Sequence, residues 1–367
     1  MHILVYGMVG NHRGGIETFL LKMNSFMSAD TIFDYVIEET ECFHEDVIKK
    51  RGGNVYRVPS RSSDPLGNIR ENKKLLKNLR NHLDIVYFNL SSLSWIEPIR
   101  IARALGYKIY IHSHNAQFIK NNGSIPYRII NSINKRRLSS YKGIKRLTCS
   151  QPATNFMFMK KDKVEMIYNA VYVNEFFFDE IIRKEKRQEL CVDDSEILIG
   201  FVGRLQDQKN PLYLLKIMKA AHKYCSNIKM IIVGDGDMRC VLEEQIKEQG
   251  LSASVKILGN RTDVNKLMQA MDIFVLPSNH EGLPFAVVEA QAGGLRCIVS
   301  KAVTTEVNYT GNVIFLELED DAENWGKTIE YVRLNKIENR TEISGRVERS
   351  NFNIVNEAKR LEKILLY

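Results

Sequence analysis

The chain has 367 residues, 44% of them hydrophobic, and carries a formal net charge of +8. That length exceeds one ordinary core, so two domains of similar mass are expected, with enough apolar residues to fill both. No stretch approaches the roughly 20 apolar residues that span a bilayer, and the six cysteines lack paired spacing, which excludes a disulfide framework and reads as reduced, buried and cytosolic.

The positive charge belongs to the first half. Met1 to Val173 carries 26 Lys and Arg against 14 Asp and Glu, and the remainder 26 against 30. The opening MHILVYGM has no cationic region before its short apolar run, so it reads as a first strand rather than a signal peptide. NHRGGIE, Asn11 to Glu17, then sets Gly14 and Gly15 where a helix begins, and backbone there can approach a ligand closely. A tight turn without ligand is the alternative, and the Gly-x-Gly-x-x-Gly fingerprint of dinucleotide folds is absent.

FDYVIEE, NVYRVP, DIVYFNL, KIYIHSH and KRLTCS follow, separated by amphipathic or mixed stretches, and this alternation implies a parallel sheet. KIYIHSHNA ends with His112 and His114 on one side, emerging at the carboxyl edge where doubly wound sheets meet ligands. A His-x-His pair suits zinc only with further ligands, and none with matching spacing follows. A hydrogen bond to substrate and a purely structural role both remain open for these histidines. Lys135-Arg136-Arg137, Lys145-Arg146 and Lys160-Lys161 can face anionic lipid, each cation contributing on the order of 1 kcal/mol near such a surface. Nucleic acid is the rival partner, but no recognised binding module accompanies the charge. A solvated basic face is the bland alternative.

The charged stretch 174–195 reads as a linker. Beyond it ILIGFVG, KMIIVGDG, VKILG, DIFVLPS, LRCIVS and VIFLEL alternate with helices such as Pro211 to Tyr224 and Met238 to Gln249, a second doubly wound plan. In GFVGRLQDQKN, Gly203 and Arg204 lie just past a strand and Lys209 five residues on; two fixed cations there can neutralise a diphosphate. VGDGD and GNRTDV are further turns at strand ends, with Arg261 a candidate to approach a base. DIFVLPS runs into NHEGLPFAVVEAQAGG, Asn279 to Gly294, with Glu281 in the approach, Pro284 at the first helical position and Glu289 more than a turn inside. Main-chain amides of Leu283, Phe285 and neighbours, with Gly282 beside them, should then open at the strand's carboxyl end, where a helix dipole attracts phosphate. Carboxylates on either side of a diphosphate suggest a sugar nucleotide. No acidic pair has metal-binding spacing, so no metal cofactor is expected. Val355 to Leu366 carries an apolar stripe that needs a partner surface.

GGIE, HSHN, TCSQPA, MIYNAV, GRLQDQKN, VGDGD, GNRTDV and HEGLPFAVVEAQAGG, in that order and over most of the chain, resemble the retaining glycosyltransferases of family 4, and within it the bacterial enzymes that build exopolysaccharide or capsule. The resemblance implies the α/β GT-B architecture of two facing Rossmann-like doubly wound parallel-sheet domains. Residues 1–173 would be the acceptor-binding domain and 196–350 the donor-nucleotide domain, with a C-terminal helix, 351–367, crossing back to the first. It implies that Arg204 and Lys209 bind the donor diphosphate. Glu281 with Gly282, Leu283 and Pro284 would hold sugar and phosphates, Glu289 would bind ribose, and His112, rather than His114, would sit beside the transferred sugar. Gly14 and Gly15 match the loop that approaches the donor phosphates. The pattern departs at Tyr172, where the family usually has Asp, and at Lys301, where it often has Asp; the first puts a hinge-side contact in question and not the donor site. The implied reaction moves a hexose or N-acetylhexosamine from a nucleoside-diphosphate sugar, a UDP-sugar by this reading, to a lipid-linked glycan. Retention follows from a front-face mechanism without a protein nucleophile, in the cytoplasm at the inner membrane face. A sugar-nucleotide epimerase, a phosphorylase, a nicotinamide dehydrogenase and a non-catalytic nucleotide-binding partner of polysaccharide assembly are the rival readings.

Overall fold

The computed structural model describes residues 1–11, 14–118, 124–319, 322–335 and 339–367. These residues form two compact units, Met1–Asn169 with Ile354–Tyr367, and Ala170–Asn353.

Unit 1 contains strands β1 (His2–Tyr6), β2 (Ile32–Ile37), β3 (Val55–Arg57), β4 (Ile85–Leu90), β5 (Lys108–Ser113), β6 (Ile144–Thr148) and β7 (Val164–Met166). Its helices are α1 (Gly15–Phe26), α2 (Glu45–Lys50), α3 (Pro65–Leu79), α4 (Glu97–Ala104), α5 (Ile125–Ser140) and α6 (Gln151–Met157). All strand pairs are parallel, in the order β3-β2-β1-β4-β5-β6-β7. Continuous apolar runs such as Ile3–Leu4–Val5 and Val86–Tyr87–Phe88 are buried because helices cover both faces of the sheet. The chain reverses its winding between β1 and β4. There Gly7 sits at φ +104°, so close to β4 that a Cβ would fall 1.8 Å from the Asn89 carbonyl oxygen.

The C-terminal helix α14 (Ile354–Leu366) belongs to unit 1 and packs on α1. Ala358, Leu361 and Leu365 of its apolar stripe are buried. Tyr110 donates to the Leu365 carbonyl at 3.0 Å, and the Tyr168 amide donates to Glu357 at 2.8 Å. One basic run differs from expectation. Arg146 donates to the carbonyls of Ile144, Leu138 and Tyr141, tying β6 to α5, while the exposed Lys145 lies over the Tyr110 ring.

Unit 2 contains β8 (Ile197–Val202), β9 (Ile228–Val233), β10 (Val255–Gly259), β11 (Ile273–Leu276), β12 (Arg296–Ser300) and β13 (Val313–Leu316), parallel in the order β10-β9-β8-β11-β12-β13. Its helices are α7 (Glu180–Leu190), α8 (Tyr213–His222), α9 (Arg239–Glu248), α10 (Val264–Ala270), α11 (Phe285–Ala292), α12 (Glu323–Leu334) and α13 (Arg340–Glu348). The winding reverses between β8 and β11. The stretch expected to be a linker is instead part of this unit, because α7 is stitched to the sheet. Asp179 caps α7 through the Ile181 amide at 2.7 Å, and Arg187, 1% exposed, donates to the carbonyls of Ala270, Asp193 and Glu196 and to Asp272. A charged sequence thus hides a buried guanidinium whose donors finish the ends of β8, α10 and α7.

Among the described residues no cysteine forms a disulfide. Cys149 and Cys297 are buried as expected, whereas Cys191 and Cys240 are exposed. Cys191 ends α7 in the left-handed conformation at φ +56°, a terminal position that points away from any core.

Candidate functional site

In unit 2 the loops that follow β8 and β11 meet at the carboxyl edge, at the reversal point where open α/β sheets bind ligands. After β8 the chain passes Gly203 and Arg204, which is half-buried, and closes a 3-10 turn, Asp207–Lys209, ended by Asn210 at φ +52°. After β11 it passes Ser278 to Pro284 and enters α11. Four contacts lace the two loops. The Asn279 amide donates to Gln208 O at 2.8 Å, its side chain to Asp207 O at 2.7 Å, and Gln208 Nε2 to His280 O at 3.2 Å. Lys209 Nζ pairs with Glu281 Oε1 at 2.6 Å, and Ser278 Oγ donates to the same oxygen at 2.9 Å.

Glu281 is 7% exposed, so its carboxylate is held inside the loop by an ammonium and a hydroxyl rather than presented to solvent. That arrangement orients Lys209 and keeps one cation at the mouth of α11. Pro284 is the N-cap of α11 and not its first helical residue, and no side chain caps the helix. The dipole end is therefore left to main-chain amides, as an anion site requires. Leu283 is buried, Gly282 half-buried, and Glu289 half-buried in the second turn of α11.

The β9 loop supports this edge. Gly234, at φ +133°, lies where a Cβ would come 2.0 Å from the Gly203 carbonyl oxygen, and the amides of Gly203 and Leu205 donate to Val233 O and Asp235 O. Arg261 is placed elsewhere in the scheme of charges. Its guanidinium binds Asp263 and Glu189 at 2.7 Å each, Lys186 joins the same acids, and the network ties Arg261 to α7.

In unit 1, Glu17 is buried and accepts from the Val9 amide at 3.0 Å and the Gly14 amide at 2.9 Å, fixing the loop that leads into α1. A Cβ on Gly15 would meet nothing within 4 Å, so the start of α1 opens to free space. His12 and Arg13 of the NHRGGIE segment lie outside the described residues. His112 does not emerge at the sheet edge. It is fully buried within β5, its Nδ1 2.6 Å from the Tyr87 hydroxyl and its ring edge-on to Phe19 of α1. His114, one residue beyond the strand, is half-buried and bonded through Nε2 to Asn89 at 2.8 Å. The residue at the edge is thus His114, with the His112 ring behind it, tilted by 35° at 4.2 Å between centroids.

Burial holds both imidazoles neutral, His114 down to about 3 and His112 well below the ordinary histidine value. In the unfolded chain both protonate near pH 6.5, so the unfolded state binds more protons below that pH. Stability should therefore fall with pH from about 6.5 towards 3, by up to about 1.4 kcal/mol per pH unit for each histidine. His114→Gln should flatten the melting temperature against pH between about 5 and 6.5; a slope equal to that of the wild type would remove His114 from the account.

Two cavities flank these elements. One of about 200 Å³ in unit 1 lies at the carboxyl ends of β1, β2 and β4, with Gly7, Glu38, Glu39, Arg61, Asn89 and Trp95 in its wall. The larger, about 340 Å³ in unit 2, lies at the opposite, amino-terminal edge, by Ile197 and Asp272. Its deepest cation, Arg340, is pushed down to about 9 by burial and spends its donors on the carbonyls of Gly293, Gln269, Met271 and Met268. That cavity is a structural joint, closed by Arg340 on the ends of neighbouring elements.

The loop lacing was not visible in the linear sequence. Ser278, Asn279 and Gln208 are ordinary polar loop residues, and only their return to one sheet edge distinguishes them. Among the described residues no group of three or more His, Cys, Asp or Glu is placed to hold a metal ion, and no helix is long and apolar enough to cross a membrane.

Residues 182–347 match the Glycosyl transferases group 1 family. Over 342 residues, 89% of this chain and 86% of the relative, the sequence is 27% identical to EpsF of Bacillus subtilis, a protein assigned to the glycosyltransferases. Over 164 residues, 43% of this chain and 40% of the relative, it is 34% identical to the UDP-Gal:alpha-D-GlcNAc-diphosphoundecaprenol alpha-1,3-galactosyltransferase of Escherichia coli. The crystal structure of Anabaena HepE in complex with UDP superposes with a TM-score of 0.81 at 18% identity, covering all of both chains. The chain accordingly has the GT-B fold of two Rossmann-like parallel-sheet domains, and its residues 182–347 are a glycosyltransferase group 1 domain.

Proposed function

We propose that this protein is a retaining hexosyltransferase. It moves a hexose or N-acetylhexosamine from a nucleoside-diphosphate sugar, a UDP-sugar, to a lipid-linked glycan in exopolysaccharide or capsule biosynthesis. The observation that carries the reading is the convergence of Arg204, the Lys209–Glu281 pair and the uncapped start of α11 on one sheet edge. Guanidinium, ammonium and main-chain amides preorganised there stabilise the charge that develops on a departing diphosphate. UDP in the HepE crystals and the lipid-diphosphate acceptor named for the Escherichia coli relative support the donor and acceptor classes.

In this reading Gly203, Gly282, Leu283 and Pro284 shape the phosphate and sugar pocket, and Glu289 accepts from ribose hydroxyls. His114 takes the place beside the transferred sugar, with His112 as a positioning residue behind it. Gly14, held by Glu17, and Gly15, with open space around it, carry the loop that approaches the donor phosphates. The unit 1 cavity beside Trp95 suits the acceptor sugar. The protein works without a metal cofactor, on the cytoplasmic face of an anionic membrane, and has no nucleic-acid partner.

The test is release of nucleoside diphosphate from a panel of UDP- and GDP-sugars, with and without a lipid-linked acceptor, in the presence of excess EDTA. Acceptor-dependent UDP release that survives EDTA is the expected result. UDP binding with no turnover on any acceptor would point to a non-catalytic partner, and loss of turnover in EDTA would refute the metal-free scheme.

A further inference from the structure

Helix α5 is amphipathic in the wrong sense for its place in the fold. The side chains it turns inward are Asn131, Asn134 and Leu138. Asn131 Oδ1 accepts from the Leu93 amide at 2.7 Å, and Asn134 Nδ2 donates to the Leu93 carbonyl at 2.7 Å, so the two asparagines clamp one main-chain residue of the loop before α4. Ile125, Ile129 and Ile133 recur every fourth residue on the other side, roughly 170° around the helix from that buried face at 3.6 residues per turn. They are 74%, 54% and 49% exposed, and Ile130 beside them is 43% exposed. Single exposed apolar residues are ordinary, but a stripe of three isoleucines with Ile130 at its border forms a patch that has no partner in unit 1 among the described residues.

The charge of the helix says what covers it. IPYRIINSINKRRLSS holds Arg128, Lys135, Arg136 and Arg137 and no acidic residue. Arg136 follows Ile125, Ile129 and Ile133 along the same stripe, and Arg136 and Arg137 are both exposed. A second copy of the chain seated on this face would bring the two Arg136–Arg137 pairs together, which like-charge repulsion opposes. An apolar stripe continued by arginines matches the boundary between acyl chains and anionic headgroups.

We infer that α5 is the membrane-docking element of this protein, lying flat on an anionic lipid surface. Ile125, Ile129, Ile130 and Ile133 enter the acyl boundary, and Arg136 and Arg137 meet the headgroup phosphates. The inference rests on the membrane part of the functional reading above and not on the donor site. It replaces a diffuse basic surface with one helix face, in which apolar burial and electrostatic attraction act together.

The test is sedimentation of the purified full chain with vesicles of phosphatidylcholine alone or of equimolar phosphatidylcholine and phosphatidylglycerol. The wild type should bind the anionic vesicles and be released by salt. Ile129→Ser/Ile133→Ser and Arg136→Glu/Arg137→Glu should each weaken that binding by about tenfold or more, with unchanged melting temperature and unchanged UDP release from soluble reagents. Wild-type binding with both variants equally bound would overturn α5 while leaving a membrane partner standing. No binding of the wild type to anionic vesicles would overturn both. Equal binding to neutral vesicles would remove the arginines from the mechanism, and a wild-type dimer that the isoleucine variant dissolves would assign the face to a second copy.

Discussion

Lys209→Ala is expected to lower UDP-sugar turnover by roughly 100- to 1,000-fold, the range seen when one preorganised donor to a developing oxyanion is removed. Two changes act in the same direction. The cation at the mouth of α11 disappears, and Glu281, 7% exposed and 2.6 Å from that ammonium, is left with Ser278 as its remaining side-chain partner in the same loop. A buried, uncompensated carboxylate beside a phosphate site repels the ligand it should help to bind. Glu281→Gln keeps the shape and removes that charge. The double variant should therefore be less impaired than Lys209→Ala alone, because the repelling charge is gone while the lost cation is not replaced. Steady-state kinetics on the three purified proteins decides it: losses that multiply would show two independent contacts, and near-wild-type rates in Lys209→Ala would remove the pair from catalysis.

Arg187→Leu is expected to destabilise unit 2 by about 3–5 kcal/mol, the cost of removing one partner of a buried ion pair. The guanidinium is 1% exposed and ties Ala270 O, Asp193 O and Glu196 O to Asp272, which also accepts from Arg183 at 2.6 Å and from the Leu198 amide at 2.8 Å. Leucine supplies volume but no donor, so three carbonyls at element ends lose a partner they cannot replace in the interior. For a unit of this size the melting temperature should fall by roughly 10 °C. Arg183→Ala should cost less, since that side chain is 17% exposed and water can reach its partners. A fall below about 1 kcal/mol in Arg187→Leu would mean that α7 is held by its apolar face alone.

These two residues show how unevenly the site could be read in advance. The strands were legible because buried parallel strands are short continuous apolar runs, as in ILIGFV and DIFVL. Arg204, Lys209, Glu281 and Glu289 stood out because charge beside glycine at strand ends is uncommon except where ligands bind. Arg187 gave no such signal. It lies in EIIRKEKRQEL, where a guanidinium that joins three loop ends looks the same as one that points to water. His112 and His114 had the right alternation, yet alternation says which side of the sheet a residue takes and not what covers it. Phe19, from another part of the chain, lies against both rings, and Tyr87 closes over His112 alone, while His114 is half-buried one residue beyond the strand.

Helix α5 makes the same point from the opposite direction. Its isoleucines recur at helical spacing, which ordinarily marks the face turned to the core. The Leu93 main chain, with an amide and a carbonyl to satisfy, claims Asn131 and Asn134 instead and turns the isoleucines out.

Local pattern by itself determined much of this protein: most of its strands, that two parallel sheets form, and which cations and carboxylates stand at strand ends, though not helix α7 or the first residue of α11. Only the tertiary structure decided which of those ends meet. Lys209 and Glu281 are 72 positions apart and become neighbours because β11 returns to lie beside β8. Periodicity is a property of consecutive residues, whereas strand order, and the covering of each face, arise from burial and hydrogen-bond demands between segments that are distant along the chain.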